Sequence, residues 1–252
     1  MTKASHIDGV RRVAVIVAGG RGVRMASDQK KQYLVLDGIP VLVRTLMAFD
    51  AHPRVDDIIL VVPGTDMGFC QKELMASFEP LTPLYWAKGG QTRQESVENG
   101  LAVAANFCSN HGKTLVLVHD GVRPFVSAAL VDACLDKARE TGACIPGLEI
   151  SDTVKKVADN DQIKTTLDRD SLFRAQTPQV FRLDLILAGF DNARKTRFQG
   201  TDEASILEHA NIPVHVVKGD RFNFKLTCPE DLVMARFLLR REHDLTMEDQ
   251  RP

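Results

Sequence analysis

The amino-acid sequence predicts an α/β fold, with an open, mostly parallel, twisted sheet that carries helices on both faces. Three observations predict it. Short apolar runs alternate with segments of helical spacing as far as Glu149. The runs are apolar throughout, as strands buried on both faces are. Glycines and charged residues follow several of the runs, at the strand ends where open α/β sheets bind their ligands.

Four apolar runs are the predicted parallel strands, and they span residues 12–18, 57–63, 114–120 and 143–149. The segments with helical spacing between them read PVLVRTLMAFDAH, GFCQKELMASF, RQESVENGLAVAANF and AALVDACLDKARETG. Because strands and helices alternate in this way, the sequence predicts a doubly wound sheet.

The alternation stops at residues 151–168, which are polar and predict a β-hairpin. Asp159-Asn160-Asp161 lies between two β-rich halves and marks the turn. An isolated two-stranded hairpin is marginally stable in water, so we expect this arm to project and to be held by a partner subunit. A mobile surface loop is the alternative.

The chain then returns through TPQVFRLDLILAGFDNA. Thr201 or Asp202 is predicted to cap a helix over EASILEHA. PVHVVKG and FNFKLTC are predicted strands, and PEDLVMARFLLRRE is the predicted closing helix. Residues 243–252 form a polar tail that we expect to be frayed. Residues 1–252 are predicted to form a single domain.

Composition excludes several classes of protein. A formal net charge of −1 gives no overall basic field for nucleic acid, so any anion site must come from locally gathered Arg and Lys. No apolar run approaches the roughly 20 residues of a membrane span, and the N-terminus lacks a signal-peptide core, so we expect a cytoplasmic protein. Five cysteines without a C-x-x-C pair predict free, mostly buried thiols, and the scattered histidines argue against structural zinc.

A glycine-rich turn, Ala18-Gly19-Gly20-Arg21-Gly22-Val23-Arg24-Met25, follows the first strand. Such turns let backbone N–H groups approach phosphate oxygens. A dinucleotide-binding loop would have a third glycine where Met25 stands, and a P-loop would have Gly-Lys-Ser/Thr. Arg24, Lys30 and Lys31 predict that this turn instead holds a polyphosphate; a solvated basic surface turn is the alternative.

Two further motifs stand at predicted strand ends. Asp120 in HDGVRPF is a candidate Mg²⁺ ligand beside a triphosphate, with a turn or capping aspartate as the alternative. His119 points to the opposite face of its strand and is predicted to be structural. In GGQTRQESVENG, a double glycine precedes Arg93 and Ser96 at the start of a helix, which is an arrangement that binds anions or polar edges of bases.

Together these motifs resemble the 2-C-methyl-D-erythritol 4-phosphate cytidylyltransferases of the non-mevalonate isoprenoid pathway. The matching segments are AGGRGVRM, KQY, GGQTRQES, HDGVRP, SDTV, LDRDSLFRAQTPQVF, TDEAS and NFKLTCPEDL, in family order from about residue 11 to residue 240. The resemblance implies a Rossmann-like nucleotidyltransferase fold, CTP and a sugar-alcohol phosphate as substrates, Mg²⁺ or another divalent cation, and release of pyrophosphate. It also implies a homodimer whose hairpin arm reaches the neighbouring subunit.

The resemblance also implies roles for individual residues. The implied catalytic residues are Arg24, Lys31 and Lys225. The implied CTP-binding residues are Ala18, Gly19, Gly20, Gly22, Gly90, Arg93, Ser96 and Asp120, and Asp120 is also the implied metal ligand. The implied acceptor-binding residues are Thr153 and Arg169 on the arm, together with Thr177 and Thr201.

The chain departs from the family pattern at two places. The family usually has a proline before its catalytic lysine, where this chain has Lys30, so Lys30 competes with Lys31 for that role. Phe222 stands where some relatives carry an acidic residue, so no second metal-supporting carboxylate is expected there. The alternatives are a ribitol-5-phosphate cytidylyltransferase, an NAD-dependent oxidoreductase and a non-catalytic nucleotide-binding homologue.

Overall fold

The structure is a computed structural model that describes residues 9–19 and 30–248. Its strands are β1 (Arg11–Val17), β2 (Val35–Leu36), β3 (Ile39–Pro40), β4 (Asp57–Val62), β5 (Leu84–Lys88), β6 (Thr114–Asp120), β7 (Ala143–Glu149), β8 (Val154–Val157), β9 (Ile163–Leu167), β10 (Phe173–Ala175), β11 (Gln179–Arg182) and β12 (His215–Lys218). Its helices are α1 (Val41–Asp50), α2 (Met67–Phe69), α3 (Arg93–Phe107), α4 (Ala128–Thr141), α5 (Leu183–Thr196), α6 (Glu203–His209) and α7 (Pro229–Glu248).

One mixed sheet organises the molecule. Strands β5, β4, β1 and β6 are parallel neighbours in that order. β11 then runs antiparallel between β6 and β7, while β10 and β12 also pair with β7. The predicted α/β class with a mostly parallel sheet is therefore confirmed, although β11 separates two strands that were predicted as consecutive parallel members.

Both faces of the sheet are covered by helices, as predicted. Side chains alternate along β1, so Ile16 packs into the core that includes Phe49 of α1 and Leu135 of α4. Val15 packs on the other face against α3 and α5. A Cβ atom at Gly100 of α3 would lie 2.6 Å from Val15 Cγ1, so only glycine lets this helix approach so closely.

The arm is a regular hairpin. β8 and β9 pair antiparallel, and the turn between them includes Asp161 in a left-handed conformation with φ of 63°. Apart from half-buried Val154, the side chains of both strands are exposed. The hairpin prediction is confirmed, and the exposed faces leave the arm with little packing of its own.

Segment 222–228, FNFKLTC, is not a strand, so that prediction is wrong. Its burial does not follow the alternation of the sequence, because polar Asn223 is buried while Phe222 is 52% exposed. A backbone hydrogen bond from Leu226 to the Val122 carbonyl fixes the segment against the loop that follows β6 instead of a strand ladder. Further on, α7 continues to Glu248, past the start of the polar tail.

Other predictions concern helix capping, cysteines and the membrane. Asp202 caps α6 in a capping box with Ser205. All five cysteines are free, and four of them are buried. None of the helices in the described part of the chain is both long and apolar enough to cross a bilayer.

Candidate active site

A cavity of about 720 Å³ opens at the carboxyl ends of β1, β4 and β6. This is the position at which open α/β sheets bind ligands. The lining residues are Val17, Ala18, Gly19, Lys30, Lys31, Gln32, Pro63, Thr65, Gly90, Gln91, Thr92, Arg93, Ser96, Asp120, Val122 and Lys225. Four of these side chains are cationic and one is anionic, so the cavity suits an anionic ligand.

Eight sequence-predicted site residues line this one cavity. They are Ala18, Gly19, Lys31, Gly90, Arg93, Ser96, Asp120 and Lys225. They come from five separate parts of the chain, which the fold brings together. The predictions for Gly20, Gly22 and Arg24 lie outside the described residues.

Asp120 is the centre of the cation cluster. Lys225 Nζ lies 2.9 Å from its Oδ2, Arg93 Nε lies 3.3 Å from its Oδ1, and Arg123 Nε lies 3.4 Å from its Oδ2. Burial would raise the pKa of this carboxyl, but the three positive charges outweigh burial and hold its pKa far below the ordinary value. Asp120 is therefore an anion that orders cations around the cavity.

The loop before α3 forms the opposite wall. Thr92 caps α3, because its Oγ1 accepts a hydrogen bond from the Glu95 N–H at 3.1 Å. The Gly90 N–H donates to Ser96 Oγ at 3.1 Å. A Cβ atom at position 90 would lie 2.3 Å from the Cβ of Glu95, so this tight loop requires glycine. Backbone and a short hydroxyl therefore face the ligand here.

Arg93 is fixed by a residue that the sequence analysis did not single out. Its Nη1 and Nη2 bind Glu203 Oε1 and Oε2 at 2.6 and 2.9 Å. Burial lowers the pKa of Arg93, but the carboxylates of Glu203 and Asp120 outweigh it and raise the pKa. One feature of the sequence could have indicated Glu203. It directly follows the capping Asp202 in TDEAS, at the start of a helix, where an acidic side chain is favourable.

His119 is buried, as the strand alternation predicted, and it does not line the cavity. Its Nε2 lies 3.1 Å from the Arg123 carbonyl and its Nδ1 lies 3.0 Å from Thr177 Oγ1. A carbonyl can only accept, so Nε2 carries the proton and Nδ1 accepts from the threonine hydroxyl. Burial lowers the pKa of His119 to about 4. The neutral ring thus serves as a fixed hydrogen-bonding group.

Thr177 connects this histidine to Asp120. Its Oγ1 accepts a hydrogen bond from the Asp120 N–H at 3.2 Å, and Asn223 Nδ2 donates to its carbonyl at 2.6 Å. Arg123 Nη1 donates to the Asn223 carbonyl at 2.8 Å. These bonds hold the segment that carries Lys225 against the end of β6. Arg123 and Asn223 were missed, because their roles depend on contacts distant in sequence.

Lys30 lies beside Lys31 but has its own partner. Its Nζ lies 2.7 and 2.6 Å from the two carboxylate oxygens of Asp66. Asp66 belongs to the short turn Gly64–Asp66 that follows β4. The cation that the sequence analysis left in competition with Lys31 is therefore already paired.

The residues predicted to bind the acceptor are distributed differently. Thr153, Arg169 and Thr201 are exposed and are not among the described lining residues of the cavity. Arg169 Nη1 donates to the Ser151 carbonyl, which fixes it at the base of the arm. Thr177 is buried directly beneath Asp120. Their role in acceptor binding stays a prediction.

The residues of the cavity suit a divalent cation that is bound by one carboxylate and by phosphate oxygens of the substrate. Among the described residues, no group of three or more metal-ligating side chains converges. Within the described part of the chain, Asp120 is the carboxylate that lines the cavity, whereas Glu203 does not line it and binds Arg93 through both oxygens. Mg²⁺ is commonly bound through one or two carboxylates with substrate phosphates as further ligands. Asp120 suits that mode and would hold such an ion together with phosphate oxygens.

A mostly parallel sheet that ends in a cation-lined cavity defines an α/β protein of the nucleotidyltransferase-like class. Residues 12–241 match the model of the family described as 2-C-methyl-D-erythritol 4-phosphate cytidylyltransferase (IspD). The chain belongs to this family.

Individual relatives agree with that assignment. A curated relative of the same name from Syntrophus aciditrophicus is 40% identical, over 91% of this chain and 96% of its own length. A second relative, from Geobacillus thermodenitrificans, is 41% identical over 90% of this chain and 96% of its own length. The crystal structure of 4-diphosphocytidyl-2C-methyl-D-erythritol synthase from Anaerococcus prevotii is 31% identical with a TM-score of 0.77, covering 93% of this chain and 98% of that one.

Proposed function

We propose that this protein transfers the cytidylyl group of CTP to 2-C-methyl-D-erythritol 4-phosphate, giving 4-diphosphocytidyl-2-C-methyl-D-erythritol and pyrophosphate. The observation that carries the proposal is the cavity at the strand ends, which Lys31 lines together with Arg93 and Lys225, the last two in contact with Asp120. The acceptor phosphate attacks the α-phosphorus of CTP, the bond to the β-phosphate oxygen breaks, and pyrophosphate leaves with the bonding electrons.

The reaction requires no general base. A phosphate monoester has a second pKa of about 6, so the nucleophile is already an anion near neutral pH. The cavity agrees with this requirement, because His119 is buried outside it with both ring nitrogens occupied. The protein has instead to bring two anions together and to stabilise charge on the transferring group.

The cations of the cavity supply that stabilisation. The four cations that line the cavity are joined by Arg123, which contacts Asp120. Asp120 and the two carboxylates paired with lining cations, Asp66 and Glu203, oppose them, so five cations and three carboxylates leave an excess of two positive charges among these described residues. We assign Lys31 and Lys225 to the phosphates of CTP, together with Arg24 of the glycine-rich turn. Ala18 and Gly19 flank the phosphates, and the wall of Gly90, Arg93 and Ser96 takes the cytosine and ribose.

A divalent cation is part of the proposal, with Asp120 as its protein ligand. When bound, Mg²⁺ neutralises phosphate charge and polarises the phosphoryl group. Arg93 and Arg123 hold the carboxylate of Asp120 in place for this role. Lys225 Nζ lies 2.9 Å from the same carboxylate, and we assign it to stabilise the negative charge of the CTP phosphates.

The acceptor site is proposed to be completed by a second copy of the chain. Thr153 and Arg169 flank the exposed arm and are not among the described lining residues of the cavity, which supports a homodimer in which they face the partner's cavity. Thr177 and Thr201 are proposed for the same acceptor site. CTP is a cytoplasmic metabolite, so the proposal includes a cytoplasmic location.

The test is pyrophosphate release with CTP, Mg²⁺ and one sugar phosphate at a time. We expect release with 2-C-methyl-D-erythritol 4-phosphate and much less with ribitol 5-phosphate. Faster release with ribitol 5-phosphate would change the acceptor, which is the alternative within the same reaction class. No release with either acceptor, together with binding of NADH, would contradict the cytidylyltransferase proposal.

A further inference from the structure

Lys30 lines the cavity, but its ammonium group is paired with the carboxylate of Asp66. Its side chain is 36% exposed, and its ammonium group lies within 2.7 Å of both carboxylate oxygens of Asp66. An ion pair with two short contacts fixes the direction of a long side chain far better than a single contact does. The charge of Lys30 is therefore largely compensated before any ligand arrives.

Asp66 is itself held from two further sides. Tyr33 donates its hydroxyl proton to Asp66 Oδ2 at 2.8 Å, and Thr65 Oγ1 donates to Oδ1 at 3.0 Å. Burial would raise the pKa of Asp66, but hydrogen bonds from Lys30, Tyr33 and Thr65 lower it. The carboxylate is thus a rigid, ionised anchor at the end of β4.

Asp66 is bound by residues at both ends of one short turn, Lys30 and Tyr33. Lys30 precedes the turn Lys31–Tyr33 and Tyr33 ends it, and the Tyr33 N–H also donates to the Lys30 carbonyl at 2.9 Å. Lys31 lies between the two residues that bind Asp66. Because Lys30 and Tyr33 are both fixed to Asp66, the backbone of Lys31 is restricted, and this restricts where its ammonium group can go in the cavity.

We propose that Lys30 is a positioning residue, which acts through Asp66 to hold Lys31 at the cavity. This inference rests on the proposed function, because it assigns Lys31 to the phosphates of CTP. It adds a second role for the paired lysines: one makes contact with the nucleotide, and the other fixes the backbone from which that contact is made. Direct binding of Lys30 to the triphosphate is the competing explanation.

The two explanations predict opposite behaviour for Asp66. If Lys30 acts through Asp66, Lys30→Met and Asp66→Asn each lower kcat about tenfold, the scale of one charged hydrogen bond, and the double variant loses no more than either single variant. The KM for CTP changes less than kcat. If Lys30 binds the triphosphate directly, Lys30→Met raises the KM for CTP, whereas Asp66→Asn releases the lysine and leaves that KM equal or lower.

The background variant Lys31→Ala provides a second measurement. If Lys30 acts by positioning Lys31, its replacement should have little effect once the Lys31 side chain is absent. We therefore expect Lys30→Met to lower kcat less than twofold in the Lys31→Ala background. Lys30→Arg keeps a cation that can bind both oxygens of Asp66, and we expect it to stay within about twofold of the native kcat. Full additivity with Lys31→Ala would overturn the proposal.

Matched controls separate this inference from the proposed function. Lys72 is exposed and lies away from the cavity lining, so Lys72→Met is expected to leave kcat unchanged. Circular dichroism and the thermal midpoint are measured for every variant, with Lys30→Gln replacing Lys30→Met if the latter is poorly folded. Absence of pyrophosphate release from the native protein contradicts the proposed function, whereas native activity that Lys30→Met and Asp66→Asn leave unchanged contradicts only the positioning role.

Discussion

Asp120 shows how a single residue can organise a site without reacting. Its carboxylate contacts Arg93, Arg123 and Lys225, and each of these cations comes from a different segment of the chain. Removing one cation from such a cluster leaves the others attracted to the carboxylate, and the ligand loses one contact. Because the three cations share one carboxylate, the effect of replacing one of them includes the response of the other two.

The first prediction concerns the two lysines assigned to CTP. Lys31→Ala and Lys225→Ala each remove a donor that stabilises charge in the transition state, so each is expected to reduce turnover by about 10²-fold or more. Steady-state kinetics of pyrophosphate release measure the effect. Lys113→Ala is the control, because Lys113 is exposed on the short turn before β6. Near-normal turnover of either active-site variant would remove that lysine from the catalytic group.

The second prediction follows from the buried histidine. The pKa of His119 is lowered to about 4, so the unfolded chain binds a proton near pH 6.5 that the folded chain does not. The free energy of unfolding should therefore fall as the pH drops from about 6.5 to 4, by about 3 kcal/mol from this group, and then level off.

The variant His119→Gln removes that titration. We expect it to fold, to retain most activity at pH 7.5, and to show a smaller loss of stability than the native protein in urea unfolding between pH 6.5 and 4. His215→Gln is the control, since His215 is exposed on β12. A loss of activity by several orders of magnitude in His119→Gln would instead revive a general-base role.

Among the elements of secondary structure, α3 and α6 are joined at their N-termini by the ion pair of Arg93 and Glu203. The third prediction is that Glu203→Ala lowers the free energy of unfolding by about 2 kcal/mol, because half-buried Arg93 loses both of its contacts with Glu203. Arg93 then turns towards Asp120, so the KM for CTP should also rise. Urea unfolding and steady-state kinetics test the two effects.

The control for this pair lies on the same helix. Glu208 of α6 is exposed, and Glu208→Ala is expected to change the free energy of unfolding by less than about 0.5 kcal/mol. Equal stability losses from the two variants would mean that the ion pair has no special role in joining α3 to α6.

Elements with a strong local pattern could be predicted from the sequence, whereas elements defined by distant contacts could not. β1, β4 and β6 are continuous apolar runs, and the arm has a clear turn at Asp159-Asn160-Asp161. By contrast, 222–228 alternates like a strand in sequence, but Asn223 binds the Thr177 carbonyl and Leu226 binds the Val122 carbonyl, so distant contacts decide its conformation. The placement of β11 between β6 and β7 likewise has no local signal.

The same distinction applies to the site. Glycine-rich loops and strand-end charges mark the cavity in the sequence, because their chemistry is local. Glu203, Asp66 and Asn223 could not be assigned from the sequence, since each matters through a partner that is 20 or more residues away. Lys30 was visible in the sequence as a cation, but its ion pair with Asp66 was not, because the two residues are 36 positions apart.

For the whole molecule, the fourth prediction is that the active site is shared between two subunits. Arg169→Ala should raise the KM for the acceptor more than the KM for CTP. If Lys31 and Arg169 act at the same site from different subunits, mixing Lys31→Ala with Arg169→Ala should restore activity. In a twofold dimer after exchange, roughly a quarter of the sites would carry neither substitution.

Subunit exchange needs to be verified before this mixture is interpreted. Differently tagged subunits and sedimentation show whether mixed dimers form. If mixed dimers are present and activity stays at the level of the separate variants, Lys31 and Arg169 belong to the same subunit at each site. A chain that sediments as a monomer at assay concentration would contradict the homodimer altogether.

The position of β11 has a consequence for the synthesis of the protein. During translation β6 and β7 are synthesised before β11, which then pairs with both of them. Until residue 182 has emerged, each of these strands presents an unpaired backbone edge, and such edges can pair with other chains. Lys225 emerges later still. The sheet therefore closes, and the cavity gains its last cation, only in the final part of translation.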